Sequence, residues 1–253
     1  MRIIRRLLQK LNWSKKRYFA FICLMLFITY ISSSIYQVYK PLPDGLAYES
    51  QPIPSQVEFL SDLTYVDAQG QLKKQHQIFD TVFKMIDEAQ STIVLDMFLF
   101  NPEIGDSTRQ HRPLTQELTQ ALLNKKITQP HVEIKLITDP VNIVYGGIEA
   151  EHLHQLKKNG VDVIMTDLTA LRASNPAWSG FWYMCCQGLG NNPQGGWLNN
   201  PLGQGKITLR SYLDLINFKA NHRKILVVDS AQGWKALISS ANAHDGSSEH
   251  SNV

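Results

Sequence analysis

The segment that decides the fold spans residues 221 to 242 and reads NHRKILVVDSAQGWKALISSAN. Its apolar run at 225–228 is rich in β-branched side chains and predicts a buried strand. The sequence SAQG at 230–233 predicts a turn, and the residues at 234–239 predict a returning strand. The segment is therefore expected to form a β-hairpin that joins the sheet of the domain.

Five polar side chains of this hairpin suit chemistry on an anionic phosphodiester. Side chains alternate along a strand, so His222 and Lys224 share one face, and Asp229 lies on the opposite face or in the turn. The hairpin returns Ser240 and Asn242 toward the first pair. An imidazole can attack phosphorus, and a neighbouring lysine offsets the negative oxygens that repel a nucleophile. The alternative is an ordinary buried strand in which His222 only caps the end of the sheet. The occurrence of all five groups in one hairpin favours the phosphodiester interpretation.

The hairpin resembles the HKD motif of the phospholipase D superfamily, in which H-x-K-x-x-x-x-D is followed by a G-S-x-N-like segment. The second part here reads SSAN at 239–242, so serine stands where glycine is usual, and the turn before it is a few residues longer. The resemblance extends over roughly residues 57 to 253. It is weak before residue 220 and specific after it.

The resemblance implies a role for each of the five residues. His222 is expected to be the nucleophile that forms a phosphohistidine. Lys224 and Asn242 are expected to bind phosphate, with Ser240 as a further phosphate contact and Asp229 as a supporting catalytic residue. The family uses no metal and no cofactor, so neither is expected here.

The resemblance is incomplete, because the family builds its active site from two such motifs. Of the eight histidines in the chain, only His222 is followed by lysine two residues later. The chain thus resembles the first half of a cardiolipin synthase-like member. A homodimer or a missing C-terminal half is expected to complete the site.

The N-terminus carries an uncharged stretch, YFAFICLMLFITYI, at residues 18–31. Continued to Val38 it is about 21 residues long, enough for a helix to cross a bilayer. Basic residues precede it and Lys40 is the first charge after it, which predicts a single-pass anchor in the cell membrane with the domain on the extracytoplasmic side. A cleaved signal peptide is the alternative. The long basic lead and the aromatic pair Tyr36 and Tyr39 favour an uncleaved anchor.

The segment after the anchor contains four prolines, which resist helix formation and suit an extended tether. The predicted division of the chain is a basic cytoplasmic segment at 1–17, a transmembrane anchor at 18–38, a linker at 39–56 and a phospholipase D-like domain with one HKD motif at 57–253.

Beyond the tether, helical and strand patterns alternate along the chain. The predicted elements are a short strand at 57–60, a helix at 75–90, a strand at 92–100, a helix from 113, a strand at 132–138, a helix at 149–159 and a strand at 161–165. The nearly unbroken apolar run at 92–100 predicts a strand covered on both faces. This order predicts an α/β fold with a mostly parallel sheet flanked by helices, preceded by the transmembrane helix.

Composition limits the partners of the chain. The apolar fraction of 43% permits a real core, and the net charge of +3 is concentrated before residue 18. The rest of the chain is slightly acidic, which argues against a nucleic-acid partner. No C-x-x-C or H-E-x-x-H spacing predicts a metal site. Three cysteines are too few for a disulfide scaffold, and the adjacent Cys185 and Cys186 are not expected to pair.

Polar residues at the ends of predicted strands are the next candidates, because ligands of open sheets bind there. Asp139 and Asn142 follow one strand, where they either serve a ligand or cap a turn. Asp96 interrupts the apolar strand and must find a partner if it is buried. It either orients His222 or another active-site group, or it is a satisfied structural carboxylate.

The stretch at 168–205 is the least regular part of the predicted domain. It combines aromatic residues with glycine, asparagine and proline, and it carries no charge between Arg172 and the end of the stretch. One interpretation is a large ordered loop over the core. The other is a lipid-facing lip, because uncharged aromatic segments favour the membrane interface.

These observations predict an enzyme that processes phospholipids at a membrane, either as a phospholipase D or by cardiolipin synthase-like phosphatidyl transfer. One alternative is a nuclease of the same superfamily acting as a dimer, which the low basicity beyond residue 40 disfavours. The other is a truncated, non-catalytic module tethered to the membrane.

Overall fold

The computed structural model of the chain describes residues 14–46, 48–104 and 112–247. Most of the predicted basic segment, together with His111 and His250, lies outside these ranges. The chain divides into two compact units. The first comprises Met1–Leu42, Arg172–Gly190 and Ile216–Phe218, and the second comprises Pro43–Leu171, Asn191–Leu215 and Lys219–Val253. The division does not follow the predicted boundary near residue 57, because the chain returns twice to the first unit.

The second unit is built on a five-stranded sheet with the order β10-β9-β3-β5-β6. Its strands are β3 (Thr92–Met97), β5 (Glu133–Thr138), β6 (Asp162–Met165), β9 (Lys224–Ser230) and β10 (Gly233–Ile238). The pairs β3–β5 and β5–β6 are parallel, whereas β3–β9 and β9–β10 are antiparallel.

The sheet is therefore mixed, and the prediction of a mostly parallel sheet is wrong. Lys224 at the start of β9 pairs with Met97 at the end of β3. Because the chain enters β9 beside the carboxyl end of β3, the strand can only run back in the opposite direction. The predicted hairpin is present, and its two-residue turn places Gly233 opposite Ser230.

Three helices cover one face of this sheet. They are α2 (Gln77–Glu88), α3 (Leu114–Thr128) and α4 (Glu151–Lys158), which all agree with the sequence prediction to within a few residues. Their apolar stripes pack on the alternate strand residues that face them, with Leu95, Leu136 and Leu226 at the centre of the core. The opposite face carries half-buried side chains and Ile164, which is 40% exposed. The expectation of a sheet covered on both faces is thus not met.

Smaller elements surround this core. They are the strands β1 (Asp62–Val66), β2 (Leu72–His76), β4 (Phe100–Asn101), β7 (Leu198–Asn199), β8 (Lys206–Ile207) and β11 (Ala243–His244), the helix α6 (Leu209–Leu215), and short 3-10 turns at Pro140–Gly146, Leu168–Ala170, Pro193–Gly195 and Asp245–Ser247. The hairpin β1–β2 was not predicted, because its side chains are mostly exposed and lack an apolar alternation. The short strand predicted at 57–60 is absent, and those residues have no regular structure.

The first unit consists mainly of two packed helices, α1 (Lys15–Tyr39) and α5 (Pro176–Cys185). Helix α1 is long and apolar enough to cross a membrane. Helix α5 lies in the stretch that the sequence describes as irregular, and it begins with Asn175 as its N-cap and Pro176 in its first turn. Cys185 and Cys186 at its end are joined by a disulfide, contrary to the expectation that they would not pair.

Candidate active site

The five predicted residues belong to the second unit, and the carboxyl edge of the parallel strands brings four of them together. Phe98 follows β3, and its backbone N–H donates to the carbonyl of Arg223 at 2.9 Å. The N–H of Ser239, which follows β10, donates to the carbonyl of Lys224 at 2.9 Å. These two backbone hydrogen bonds fix the first residues of β9 between strands β3 and β10. The loops that carry His222 and Asn242 therefore meet at this edge.

His222 and Lys224 form a direct side-chain pair. The Nζ atom of Lys224 lies 3.0 Å from Nε2 of His222 and 3.2 Å from its carbonyl oxygen. A lysine ammonium can only donate, so Nε2 is the acceptor in this contact. The imidazole of His222 is exposed, whereas Lys224 is buried with 4% of its surface exposed. The imidazole of His222 thus reaches solvent, while its Nε2 atom is held toward the buried ammonium.

Phe98 completes the wall around this pair. Its ring centroid lies 4.6 Å from that of His222 and 4.9 Å from Nζ of Lys224. The ring limits the orientations of the imidazole and offers its negative π face to the ammonium. Sequence reasoning missed Phe98 because a phenylalanine at the end of an apolar strand is indistinguishable from a core residue.

The charge of Lys224 has no carboxylate partner among the residues that the structure describes. The Nζ atom of Lys224 makes hydrogen bonds to His222 alone, and it takes part in none of the ion pairs among the described residues. Burial lowers the pKa of Lys224 below its ordinary value. A buried cation without a counter-charge is costly to a fold, and an anion bound at the site would offset that cost.

Asn221 anchors the loop that carries His222. Its backbone N–H donates to the carboxylate of Asp139 at 2.6 Å, and its side-chain amide donates to Asp96 at 2.7 Å and to Thr166 at 3.0 Å. Asp96 also lies 3.7 Å from the guanidinium of Arg223. Asn221 and Arg223, on either side of His222, are therefore fixed by these contacts. None of the contacts involves the imidazole of His222.

The two carboxylates of this anchor are both buried. Burial raises the pKa of Asp139 and of Asp96 above their ordinary values, partly opposed in each by the hydrogen bonds that the carboxylate accepts. Asp139 accepts from Val141 with one oxygen and from Asn221 with the other. It thus caps its own turn, as the turn interpretation predicts, and it also positions the loop of His222.

Asn242 and Ser240 approach the site from the other side of the hairpin. The carbonyl oxygen of the Asn242 side chain accepts from the N–H of Leu99 at 3.2 Å, and the residue is 9% exposed. Its amide group makes no hydrogen bond within the described chain. Ser240 is exposed, and its hydroxyl is likewise unengaged among the described residues. Both groups are free to hold an oxygen of a bound anion.

Asp229 lies at the far end of β9, five residues or about 17 Å along the strand from Lys224. Its carboxylate accepts hydrogen bonds from the backbone N–H groups of Gln90, Ser91 and Thr92, and from the hydroxyl of Ser91. The structure thus does not bring Asp229 to His222. The residue ties β9 to the loop between α2 and β3.

A cavity of about 700 Å³ opens at the same edge of the sheet. Leu99, whose N–H binds Asn242, contributes to its wall together with Asn101 and Asn142. Asn142 is fully engaged, because it binds the backbone of Phe98 and Phe100. The described residues contain no cluster of three or more His, Cys, Asp or Glu that could hold a metal ion.

No protein-family model matches the chain, and no curated protein matches it with significance. The assignment of roles therefore stays with the residues and their geometry.

Proposed function

We propose that this chain is a membrane-anchored enzyme that processes the phosphodiester of phospholipids by the chemistry of the phospholipase D superfamily. The observation that carries the proposal is the pair of His222 and Lys224. An exposed imidazole stands 3.0 Å from a buried ammonium that lacks a carboxylate partner in the described chain. A phosphodiester supplies both the electrophile for the imidazole and the missing negative charge.

In the first step, the ammonium of Lys224 exchanges its hydrogen bond to Nε2 of His222 for one to a phosphate oxygen, and the freed lone pair of Nε2 attacks phosphorus. A P–N bond forms, the P–O bond to the leaving alcohol breaks, and that oxygen takes a proton from a general acid. Lys224, with the amide of Asn242 and the hydroxyl of Ser240, holds the non-bridging oxygens as their charge grows. In the second step, the oxygen of water or of an acceptor alcohol attacks phosphorus, its proton passes to the group that served as general acid, and the P–N bond breaks.

Two products follow from the same intermediate. Attack by water gives hydrolysis, as in a phospholipase D, and attack by a lipid alcohol such as phosphatidylglycerol gives phosphatidyl transfer, as in a cardiolipin synthase. Neither step uses a metal or a cofactor, so we expect turnover in the presence of a chelator.

The proposal is tested with the full chain in vesicles that contain phosphatidylglycerol, with release of glycerol and formation of cardiolipin as readouts. We expect both products to disappear in His222→Ala. His154→Ala is the matched control, because His154 is exposed on α4 and its side chain makes no hydrogen bond within the described chain. Product formation that survives His222→Ala, or that requires a divalent ion after chelation, contradicts the proposal.

The side of the membrane is part of the same proposal. Basic residues precede the apolar stretch of α1 and none lies within it, so we expect the second unit to lie outside the cytoplasm. A cysteine in place of the exposed Ser50 should then react with an impermeant thiol reagent on intact cells. The experiment is done with Cys23→Ser, because Cys23 is the free cysteine of the described chain. Labelling that occurs only after lysis places the unit in the cytoplasm.

A further inference from the structure

Helix α5 packs on the C-terminal part of α1 through small residues and backbone groups. The hydroxyl of Tyr30 donates to the carbonyl of Ala177 at 3.1 Å, and the N–H of Ala173 donates to the carbonyl of Gln37 at 2.8 Å. Between these contacts, Gly180 lies so close to Ser34 that a Cβ atom on Gly180 would overlap its side chain. Close packing through small residues is typical of helices that meet in a membrane.

The level of these contacts along α1 can be related to the thickness of a bilayer. A helix rises about 1.5 Å per residue, so Tyr30 lies roughly 18 Å and Gln37 roughly 29 Å beyond Tyr18, where the uncharged stretch begins. The hydrocarbon core of a bilayer is about 30 Å thick. If α1 crosses the membrane, the contacts with α5 therefore run from within the far leaflet to its boundary with water.

The exposed surface of α5 and of the residues next to it is apolar, as expected for a surface in the far leaflet of the membrane. Phe181 and Met184 on α5 and Leu189 after it are exposed, with 45%, 38% and 60% of their surfaces accessible. No charged residue occurs between Ala173 and Gly190. A water-facing helix of a soluble domain normally carries charge, whereas aromatic and aliphatic side chains without charge are typical of the membrane interface.

Phe218 adds a fourth apolar side chain to this surface. It is 70% exposed, and its φ angle of 50° lies in the left-handed region that bulky residues avoid. The hydroxyl of Ser174 donates to the carbonyl oxygens of Asn217 and Phe218 and so fixes this conformation beside α5. A strained backbone that holds a large apolar side chain in solvent indicates a partner for that side chain.

The charged groups of the first unit lie where headgroups are expected. Arg172 donates to the carbonyl of Lys40 at 3.1 Å, and Nζ of Lys40 lies 5.5 Å from the ring centroid of Tyr183. These basic residues stand at the end of α1, beyond the apolar contacts with α5. Aromatic rings flanked by basic groups are the arrangement that anchors proteins at the lipid–water boundary.

We propose that α5, together with Leu189 and Phe218, is a second membrane contact, which lies in the far leaflet beside α1 and inserts its apolar side chains among the lipids. The partner is the bilayer and not a second copy of the chain, because α5 packs directly on α1, whose many exposed apolar side chains are covered by lipid when that helix crosses the membrane. The inference depends on α1 being in the membrane and is independent of the proposed chemistry at His222.

The test uses the full chain with Cys23→Ser in vesicles of phosphatidylethanolamine and phosphatidylglycerol. An environment-sensitive fluorophore is attached to a single cysteine that replaces Phe181, Leu189 or Phe218. The same label at Phe27 on α1 is the lipid-facing reference, and at Trp234, which is 69% exposed on β10, it is the aqueous reference. Leu189 lies outside helix α5, so a label at this position still reports contact with lipid if the substitutions of Phe181 or Phe218 disturb folding.

We expect spin-labelled lipids to quench the three labels at least half as strongly as the label at Phe27, and to leave the label at Trp234 unquenched. Three labels that behave like the one at Trp234 while Phe27 is quenched overturn the inference. Labels shielded from both lipid quencher and aqueous iodide indicate a protein partner and overturn it as well. An unquenched label at Phe27 removes α1 from the membrane, and the inference fails with it.

Discussion

Under the proposed function, Lys224 is a residue that serves the reaction at a cost to the stability of the fold. Its ammonium is buried beside Met97, its pairing partner in β3, and no carboxylate of the described chain faces it. A methionine has nearly the same volume and needs no counter-charge. We expect Lys224→Met to leave the melting temperature unchanged or raise it, while phosphodiester cleavage falls by about 100-fold or more.

The measurements for Lys224→Met are calorimetric melting and the vesicle assay. Lys235→Met is the control, because Lys235 is partly exposed and pairs at 2.6 Å with Glu88, the last residue of helix α2. That control should keep its activity. A large drop in melting temperature for Lys224→Met would show that the ammonium is structural.

Asp139 acts on His222 through the backbone. Both of its oxygens accept N–H groups, one from Val141 and one from Asn221, and the side chain is fully buried. In Asp139→Asn, the new NH₂ group must face one of these N–H donors. We expect a loss of about 1–3 kcal/mol in the free energy of unfolding, because one buried donor is left without an acceptor.

Activity should fall together with stability in Asp139→Asn, because Asn221 no longer fixes the loop before His222. Urea titration gives the free energy of unfolding, and the vesicle assay gives the activity. Asp162→Asn, on the exposed edge strand β6, is the matched substitution and should change neither quantity. Unchanged stability of Asp139→Asn would mean that the carboxyl group is already protonated in the fold.

At the scale of elements, Asp229 connects β9 to the loop before β3. Hydrogen bonds from Ser91, Thr92 and Gln90 lower its pKa to about 2. Because the folded pKa lies below the ordinary value, the stabilisation is present above about pH 4 and is lost as the pH falls toward 2. We expect Asp229→Asn to lower the melting temperature at pH 7 and to flatten its dependence on pH between 4 and 2.

Circular dichroism melts at several pH values measure this effect. The exposed Asp162→Asn again serves as the control and should retain the slope of the unsubstituted chain. Cleavage activity at permissive temperature should survive in Asp229→Asn, because the carboxylate is remote from His222. A folded but inactive Asp229→Asn would instead support the catalytic role that the motif resemblance implies.

The elements differ in how far the sequence could predict them. The hairpin and helices α2, α3 and α4 were predictable, because each combines a clear hydrophobic period with turn or cap residues. Helix α5 was not, because its packing partner lies more than a hundred residues away and its aromatic composition lacks a polar face. The direction of β9 depends on where the chain returns to the sheet, which no local pattern encodes.

The same distinction applies to the site. His222, Lys224 and Asn242 were found because they belong to one short segment with fixed spacing. Phe98, Asp139 and Asn221 contribute through contacts made by the tertiary fold. Phe98 resembles a core residue and Asp139 resembles a turn cap, so their sequence contexts predict ordinary structural roles. The candidate site thus combines residues of one short sequence motif with residues that only the tertiary fold brings beside them.

At the scale of the whole molecule, the unanswered chemical requirement is the proton for the leaving alcohol. In the proposed reaction, attack by His222 would release an alkoxide, which is a poor leaving group near pH 7 unless an acid protonates it. Lys224 serves poorly as that acid, because it is needed as a cation on the phosphate. In the described chain, His131 binds the carbonyl of Gln90 and His152 binds that of Phe100, so neither contacts His222.

A second copy of His222, supplied by another chain across a two-fold axis, meets this requirement. We therefore expect activity per chain to depend on assembly. In nanodiscs that hold one chain, cleavage should be lower by about 10²–10⁴-fold than in discs that hold two, which is the usual contribution of general acid catalysis. Mixing the unsubstituted chain with an excess of the His222→Ala chain should also lower the activity per unsubstituted chain. A pair made of one chain of each kind has a single His222 imidazole and so lacks either the nucleophile or the acid. Equal activity per chain in both kinds of disc would show that a single chain contains its own acid.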